Sequence, residues 1–204
     1  MGYVYYVRHG ETVWNTENKV CGMVDSPLTE KGHQQAIALG KRIAEGGLPI
    51  DEILYSPLSR AADTARHISE QTGIPMRPEP RIIEQHFGHF EGTNRYTEEF
   101  ARARTQFADR NGSGESMLQI CQRVFNVLDE IKAESDNKVY LLVAHNGIAR
   151  AVPLGTGKSG LRRYQFSCII SDRRFMPPVT YYVPVGTTKR PENTVPHERR
   201  NYHG

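Results

Sequence analysis

Two short apolar runs, each ending at a histidine, constrain this chain more than any other feature. Residues 3–7 (YVYYV) stop at Arg8-His9-Gly10, and residues 139–143 (VYLLV) stop at Ala144-His145-Asn146-Gly147. The first reads as a short buried strand and the second is the strongest strand signal in the sequence. Between them lie segments with helical spacing. Thr29 is placed to cap a helix carrying Ala36, Leu39, Gly40, Ile43 and Ala44 on one face, and Gly46-Gly47 stops it. Ile53-Leu54-Tyr55 reads as another strand, closed by Ser56-Pro57. A helix from about Leu58 follows, with Ala61, Ala65 and Ile68 on one face and Gly73 as its stop.

Further along, Ile82-Ile83 suggests a brief extended segment. Tyr96, Phe100, Ala103 and Phe107 suggest a helix, and Met117, Ile120, Cys121, Val124, Leu128 and Ile131 describe a second, amphipathic one. Strands alternating with helices imply an α/β fold: a three-layer sandwich with a mostly parallel central sheet. Ligands of such sheets sit beyond the carboxyl ends of the strands. Both histidine motifs fall there.

At 204 residues the chain suits one well-cored domain. No stretch approaches the roughly 20 apolar residues of a membrane span. The N-terminus lacks the basic-then-apolar layout of a secretory signal. Cys21, Cys121 and Cys168 are scattered and never form a CxxC pair. Reduced thiols and a cytoplasmic location are therefore expected. Residues 1–152 hold 17 Lys/Arg against 20 Asp/Glu, and residues 153–204 hold 9 against 3. The basic end has no repeat and no dense Lys/Arg block, so neither a nucleic acid nor a membrane is expected as a partner.

Arg60 opens the helix after the second strand, so its guanidinium reaches the edge that carries Arg8, His9 and His145. Guanidinium groups bind phosphate through parallel charge-assisted hydrogen bonds, and Asn15 offers one more donor. No carboxylate cluster with metal-ligand spacing accompanies these residues, and adjacent arginines repel a dication. Metal-free phosphoryl transfer is the expected chemistry, with no cofactor. A neutral imidazole attacks phosphorus, cations offset the charge on the equatorial oxygens, and an acid protonates the leaving alkoxide. Glu84, ahead of "QHFGHFEG", is the best-placed acid, provided its pKa rises.

The motifs "VRHGETVWN", "DSPLTEKG", "SPLSRAADTA", "EQHFGHFEG", "GES" and "VAHNG" occur in the order seen in the histidine phosphatase superfamily, which includes the cofactor-dependent phosphoglycerate mutases. The resemblance spans about residues 1–152. It implies a phosphorylated nucleophile at His9, a phosphate pocket of Arg8, Asn15, Arg60 and His145, to which Asn146 of "AHNG" is added, and a proton donor at Glu84. It also implies a small helical insertion over the site, to which the Tyr96–Phe107 helix belongs. Cys21 departs from the family pattern, which often has a glutamine-like residue there.

Only residues 93–113 separate "FEG" from "GES". A mutase must retain its intermediate under a longer cover, so a phosphatase acting on small phosphomonoesters is expected, with a small phosphorylated metabolite as partner. Mutase-type transfer and a catalytically impaired phosphate-binding module are the alternatives, and a homodimer is left open. In "FGHF", His89 reads as part of a polar loop packing Phe87 and Phe90 against the sheet, and His86 is left open. Trp14 reads as a packing residue, and Thr12 as a helix start or a phosphate contact.

The end of the chain breaks the pattern. Pro153 is expected to end the preceding helix early, and only Tyr164 to Ile170 looks strand-like. Residues 153–204 are therefore set apart as an atypical basic segment, irregular from Pro177 onward, such as a reading-frame change near residue 152 would produce. "PLGTGKSG" at 153–160 is no phosphate-binding P-loop, because Val152 stands where the first glycine belongs.

Overall fold

A computed structural model of the chain describes residues 3–134, 138–155 and 165–168. Five strands, β1 (Tyr3–Arg8), β2 (Glu52–Tyr55), β3 (Met76–Pro78), β4 (Tyr140–Ala144) and β5 (Gln165–Cys168), form one sheet in the order β3-β2-β4-β1-β5. Every strand pair is parallel. The helices are α1 (Val13–Thr16), α2 (Glu30–Gly46), α3 (Ser59–Thr72), α4 (Glu98–Ala103), α5 (Met117–Glu134) and α6 (Asn146–Gly155).

Alternation along the strands builds the three layers. Val4 and Tyr6 of β1, Leu54 of β2, and Tyr140, Leu142 and Ala144 of β4 pack with Ile120, Val124, Leu128 and Ile148 from α5 and α6. Their neighbours in sequence, Val7, Ile53, Leu141 and Val143, face the other way onto Leu39, Ile43, Ala61, Ala65 and Ile68 of α2 and α3. Successive strand side chains point to opposite faces, so a sheet covered on both sides needs unbroken apolar runs. Leu141, Leu142 and Val143 are fully buried. Burial of each such side chain stabilises the fold by about 1.5–3 kcal/mol.

Local chemistry sets the helix ends. Thr29 caps α2 by accepting from Gly32 N at 3.0 Å, and Gly47 closes it with φ +57°. Gly40 lets α2 approach α3, since a Cβ there would lie 2.9 Å from the Gln71 side chain. Ser116, the serine of "GES", accepts from Gln119 N while Gln119 Oε1 accepts from Ser116 N, a reciprocal cap that starts α5.

Three expectations are corrected here. Ile82 belongs to a 3-10 turn, Pro80–Ile82, and only Ile83 is extended; the additional strand is β3 at Met76–Pro78. The helix expected over Tyr96–Phe107 is only Glu98–Ala103, because Thr97 caps it and only Phe100 is buried, whereas Tyr96 and Phe107 are exposed. Pro153 does not end α6, which runs on to Gly155. Proline's fixed φ is itself helical, so it costs a hydrogen bond without forcing a stop. β5 lies within the segment expected to look strand-like; the expectation of irregularity from Pro177 falls outside the described residues.

Candidate active site

The carboxyl edge of β1 and β4 is where the two histidines meet. Parallel pairing places Arg8 opposite Ala144, and His9 N donates to Ala144 O at 3.1 Å. The next residue on each strand is a histidine, so the rings leave the sheet side by side, with centroids 5.1 Å apart and planes inclined at 55°. His9 is 8% exposed and His145 is fully buried.

Hydrogen bonds assign the imidazole protons. His9 Nδ1 lies 2.7 Å from Gly10 O. A carbonyl only accepts, so Nδ1 carries the proton and Nε2 keeps its lone pair. His145 Nε2 lies 2.7 Å from Ser56 Oγ, which accepts from Leu58 N at 3.5 Å. Of the two tautomers this pair allows, the one in which the serine donates to Nε2 puts the His145 proton on Nδ1. That nitrogen is buried with no protein partner.

Arg60 is wholly buried at the start of α3. Its Nη2 donates to Gly22 O at 2.6 Å, and its Nη1 reaches Val24 O at 3.3 Å and Asp25 Oδ1 at 3.4 Å. Its Nε is buried and unpartnered, as are the Nε atoms of Arg8 and Arg95. Buried donors are almost always satisfied in folded proteins. Among the described residues, every buried side-chain nitrogen left without a partner belongs to Arg8, Arg60, Arg95 or His145. Such a rim is built to receive an oxygen-rich acceptor, and its positive charge selects an anion.

Glu84 closes the site from the loop after the 3-10 turn. Its carboxyl accepts from Gln85 N at 2.8 Å and Gly147 N at 3.0 Å. Burial pushes its pKa up, opposed by those two N–H groups and by the charges of Arg60 and Arg8. Burial, reinforced by Arg8 and Arg60, holds His9 well below the usual imidazole value; His145 is held down chiefly by burial, then by Arg60. The pocket therefore combines neutral imidazoles with a carboxyl group biased toward its acid form. Among the described residues, no group of three or more His, Cys, Asp or Glu side chains is arranged to hold a metal ion.

The model of the histidine phosphatase superfamily (branch 1) matches residues 4–166. The chain belongs to that superfamily. It is 35% identical over 179 residues to the probable phosphoglycerate mutase GpmB of Erwinia tasmaniensis, covering 82% of each chain. It is 32% identical over 162 residues to the metal-independent phosphoserine phosphatase of Arabidopsis thaliana, covering 74% of this chain and 67% of that one. Among solved structures it resembles a mycobacterial glucosyl-3-phosphoglycerate phosphatase, with TM-score 0.64 and 29% identity over 72% of this chain and 76% of that one. YhfR of Bacillus stearothermophilus gives TM-score 0.67 and 28% identity, over 80% and 86%.

Five residues singled out from sequence converge here: Arg8, His9, Arg60, Glu84 and His145. Asn15 is held on α1, where Thr12 N donates to its Oδ1 at 3.2 Å in a capping box. Thr12 is thus a fully buried helix cap. Asn146 begins α6, with its Oδ1 buried and unpartnered.

Phe87 and Phe90 do not pack on the sheet as expected. They form a separate cluster with Val20 and Phe100, under the insertion that α4 contributes. His89 lies not in a loop but in the short 3-10 turn Gly88–Phe90, with Nδ1 3.2 Å from Asn111 O. Trp14 packs near Gly92, whose Cβ position would lie 3.4 Å from the indole.

Sequence reasoning missed four contributors. Ser56 orients His145, and its position directly after a strand was the available signal. Thr64 accepts from Gly10 N at 3.1 Å and donates to Arg60 O at 2.7 Å, tying the turn after His9 to α3. Arg123 grips Glu115 at 2.7 Å and reaches Arg81 O at 2.6 Å and Glu84 O at 3.3 Å, so the glutamate of "GES" braces the Glu84 loop. Arg95 bonds the carbonyls of Trp14 and Lys19 and acts on Arg8, and no pattern in the sequence marked it.

Proposed function

We propose that this chain is a metal-independent phosphatase of small phosphomonoesters that works through a phosphohistidine at His9. The supporting observation is the pairing of a free imidazole Nε2 with a rim of unsatisfied cationic donors. Nε2 of His9 attacks phosphorus in line as the ester P–O bond breaks, and Glu84 delivers its proton to the departing alkoxide. Arg8, Arg60 and the Nδ1–H of His145 stabilise the equatorial oxygens, and the NH2 of Asn15 with the amide of Asn146 orients them. Water then attacks the phosphohistidine. Glu84, now a carboxylate, takes its proton, the N–P bond breaks, and inorganic phosphate leaves.

The burial of both histidines and Glu84 supports this division of roles. The relatives named phosphatases support hydrolysis as the outcome, and those named probable phosphoglycerate mutases favour a second reading, transfer to another hydroxyl of a bound acid. Phosphate release from p-nitrophenyl phosphate in EDTA, measured beside isomer interconversion of a phosphorylated three-carbon acid, separates the two. Hydrolysis that survives EDTA and disappears in His9→Ala is expected. Turnover retained by His9→Ala would remove the nucleophile from the scheme.

A further inference from the structure

Beside Arg60 the chain has built an anion site and filled it itself. The successive amides of Gly22 and Met23 both point at the carboxylate of Glu91, at 2.9 and 3.1 Å, and Phe87 N donates to the same group at 2.9 Å. Consecutive backbone N–H groups of this kind form a concavity that attracts anions. The partners of Glu91 here are amides rather than a cation. The carbonyl of the same Gly22 is bound by Arg60 Nη2 at 2.6 Å. One residue therefore separates the carboxylate from a guanidinium of the phosphate rim. Gly22 is closely enclosed, since a Cβ there would overlap Glu91, the Gln85 carbonyl and the Phe87 ring. The side chains it leaves at the surface are apolar: Met23 is 40% and Val24 42% exposed.

We infer that Glu91 sets the substrate class: phosphomonoesters whose organic part is apolar and carries no second negative charge. This rests on the phosphatase reading above. Two donors that a substrate carboxylate would use are already taken, and a fixed like charge stands where that carboxylate would approach. Two like charges a few ångströms apart beside a protein surface disfavour binding by about tenfold. The apolar pair Met23 and Val24 then meets the body of the substrate.

The test compares p-carbamoylphenyl phosphate with p-carboxyphenyl phosphate, which match in shape and differ in charge. The wild-type enzyme is expected to favour the carbamoyl ester by about tenfold in kcat/KM, mostly through KM, with the preference shrinking at high salt. Glu91→Gln should narrow the ratio to within about threefold. Equal kcat/KM values in the wild type, or an unchanged ratio in a folded Glu91→Gln, would overturn the inference. Glutamine presents an NH2 toward Gly22 N–H and so can loosen the loop; the wild-type ratio and its salt dependence decide the matter if that variant fails to fold. Calorimetric binding of the two corresponding aryl phosphonates separates the two layers of reasoning. Tenfold tighter binding of the carbamoyl phosphonate with no turnover of either ester would sink the phosphatase reading and leave the role of Glu91 standing.

Discussion

Replacing Gly147 by alanine is the sharpest probe of the acid assigned to Glu84. Gly147 is the second residue of α6, and its N–H donates to Glu84 Oε2 at 3.0 Å. A methyl group there would lie 3.2 Å from the Glu84 carboxyl carbon and 3.4 Å from Gln85 Cβ, and would overlap Glu84 Oε1 outright. Carbon pairs prefer roughly 3.5–4.0 Å, so the carboxyl group must retreat by about 1 Å. A displacement of that size in a reacting group costs about 100-fold in rate. The loss falls only on the step that needs the proton. Alkyl phosphates, whose alkoxides leave poorly, should lose about 100-fold in kcat/KM, and p-nitrophenyl phosphate less than about fivefold. The assay is phosphate release for both substrates on one preparation, with a thermal melt to register the overpacking cost of about 1–3 kcal/mol. An equal loss on both substrates, in a protein that still folds, would remove Glu84 from the acid role.

The pH profile follows from the same carboxyl. Burial raises its pKa, so activity on alkyl phosphates should fall as pH climbs past a limb lying above the usual carboxylate value of about 4.3; Glu84→Gln should abolish that limb, and a limb that persists would assign it elsewhere. His9 is held down by burial and by Arg8 and Arg60, so the acid limb should lie below about 6.5, the usual imidazole value. Ser56→Ala should lower kcat/KM about tenfold, the equivalent of one hydrogen bond of roughly 1.4 kcal/mol, and shift the His145 nitrogen NMR pattern away from the Nδ1–H tautomer; an unchanged tautomer would refute its positioning role. Acid should also destabilise the fold. The unfolded chain protonates both histidines near pH 6.5 while the folded chain resists, so stability present above that value is lost as pH falls, by about 1.4 kcal/mol per pH unit for each imidazole. Glu84 opposes this, since its raised pKa gives stability below its usual value that fades as pH rises; melts of Glu84→Gln should therefore show a steeper acid loss than wild type, and a shallower one would contradict the assigned directions. Leu142→Ala, in the fully buried middle of β4, should cost about 2–5 kcal/mol in denaturant unfolding, and a cost below about 1 kcal/mol would place that residue outside the core.

Legibility in the sequence tracked how local the physics was. β1, β2 and β4 were readable because a strand covered on both faces must be apolar throughout, and α2, α3 and α5 because one stripe of each must be. β3, three residues with no apolar run, carried no such signal, and the brief extended segment expected at Ile82-Ile83 follows the β preference of isoleucine, which the proline-led turn at Pro80–Ile82 overrides at Ile82. Phe107 fits a helical stripe by spacing, yet it is exposed, since periodicity says nothing about whether a partner surface exists. In the site, His9 and His145 were found because their strands end there. Glu84 was found as a carboxylate near the same edge. Arg95 and Arg123 come from loop and helix positions whose convergence depends on tertiary geometry alone.

The strand order has a consequence for how the protein is made. β4 emerges from the ribosome long after β1 and β2, yet its place is between them. Until residue 144 is free, the nascent chain holds a slot with two unsatisfied rows of amides, where a strand from a stranger would fit as well as its own. A chaperone that shields that slot should raise the yield of soluble protein.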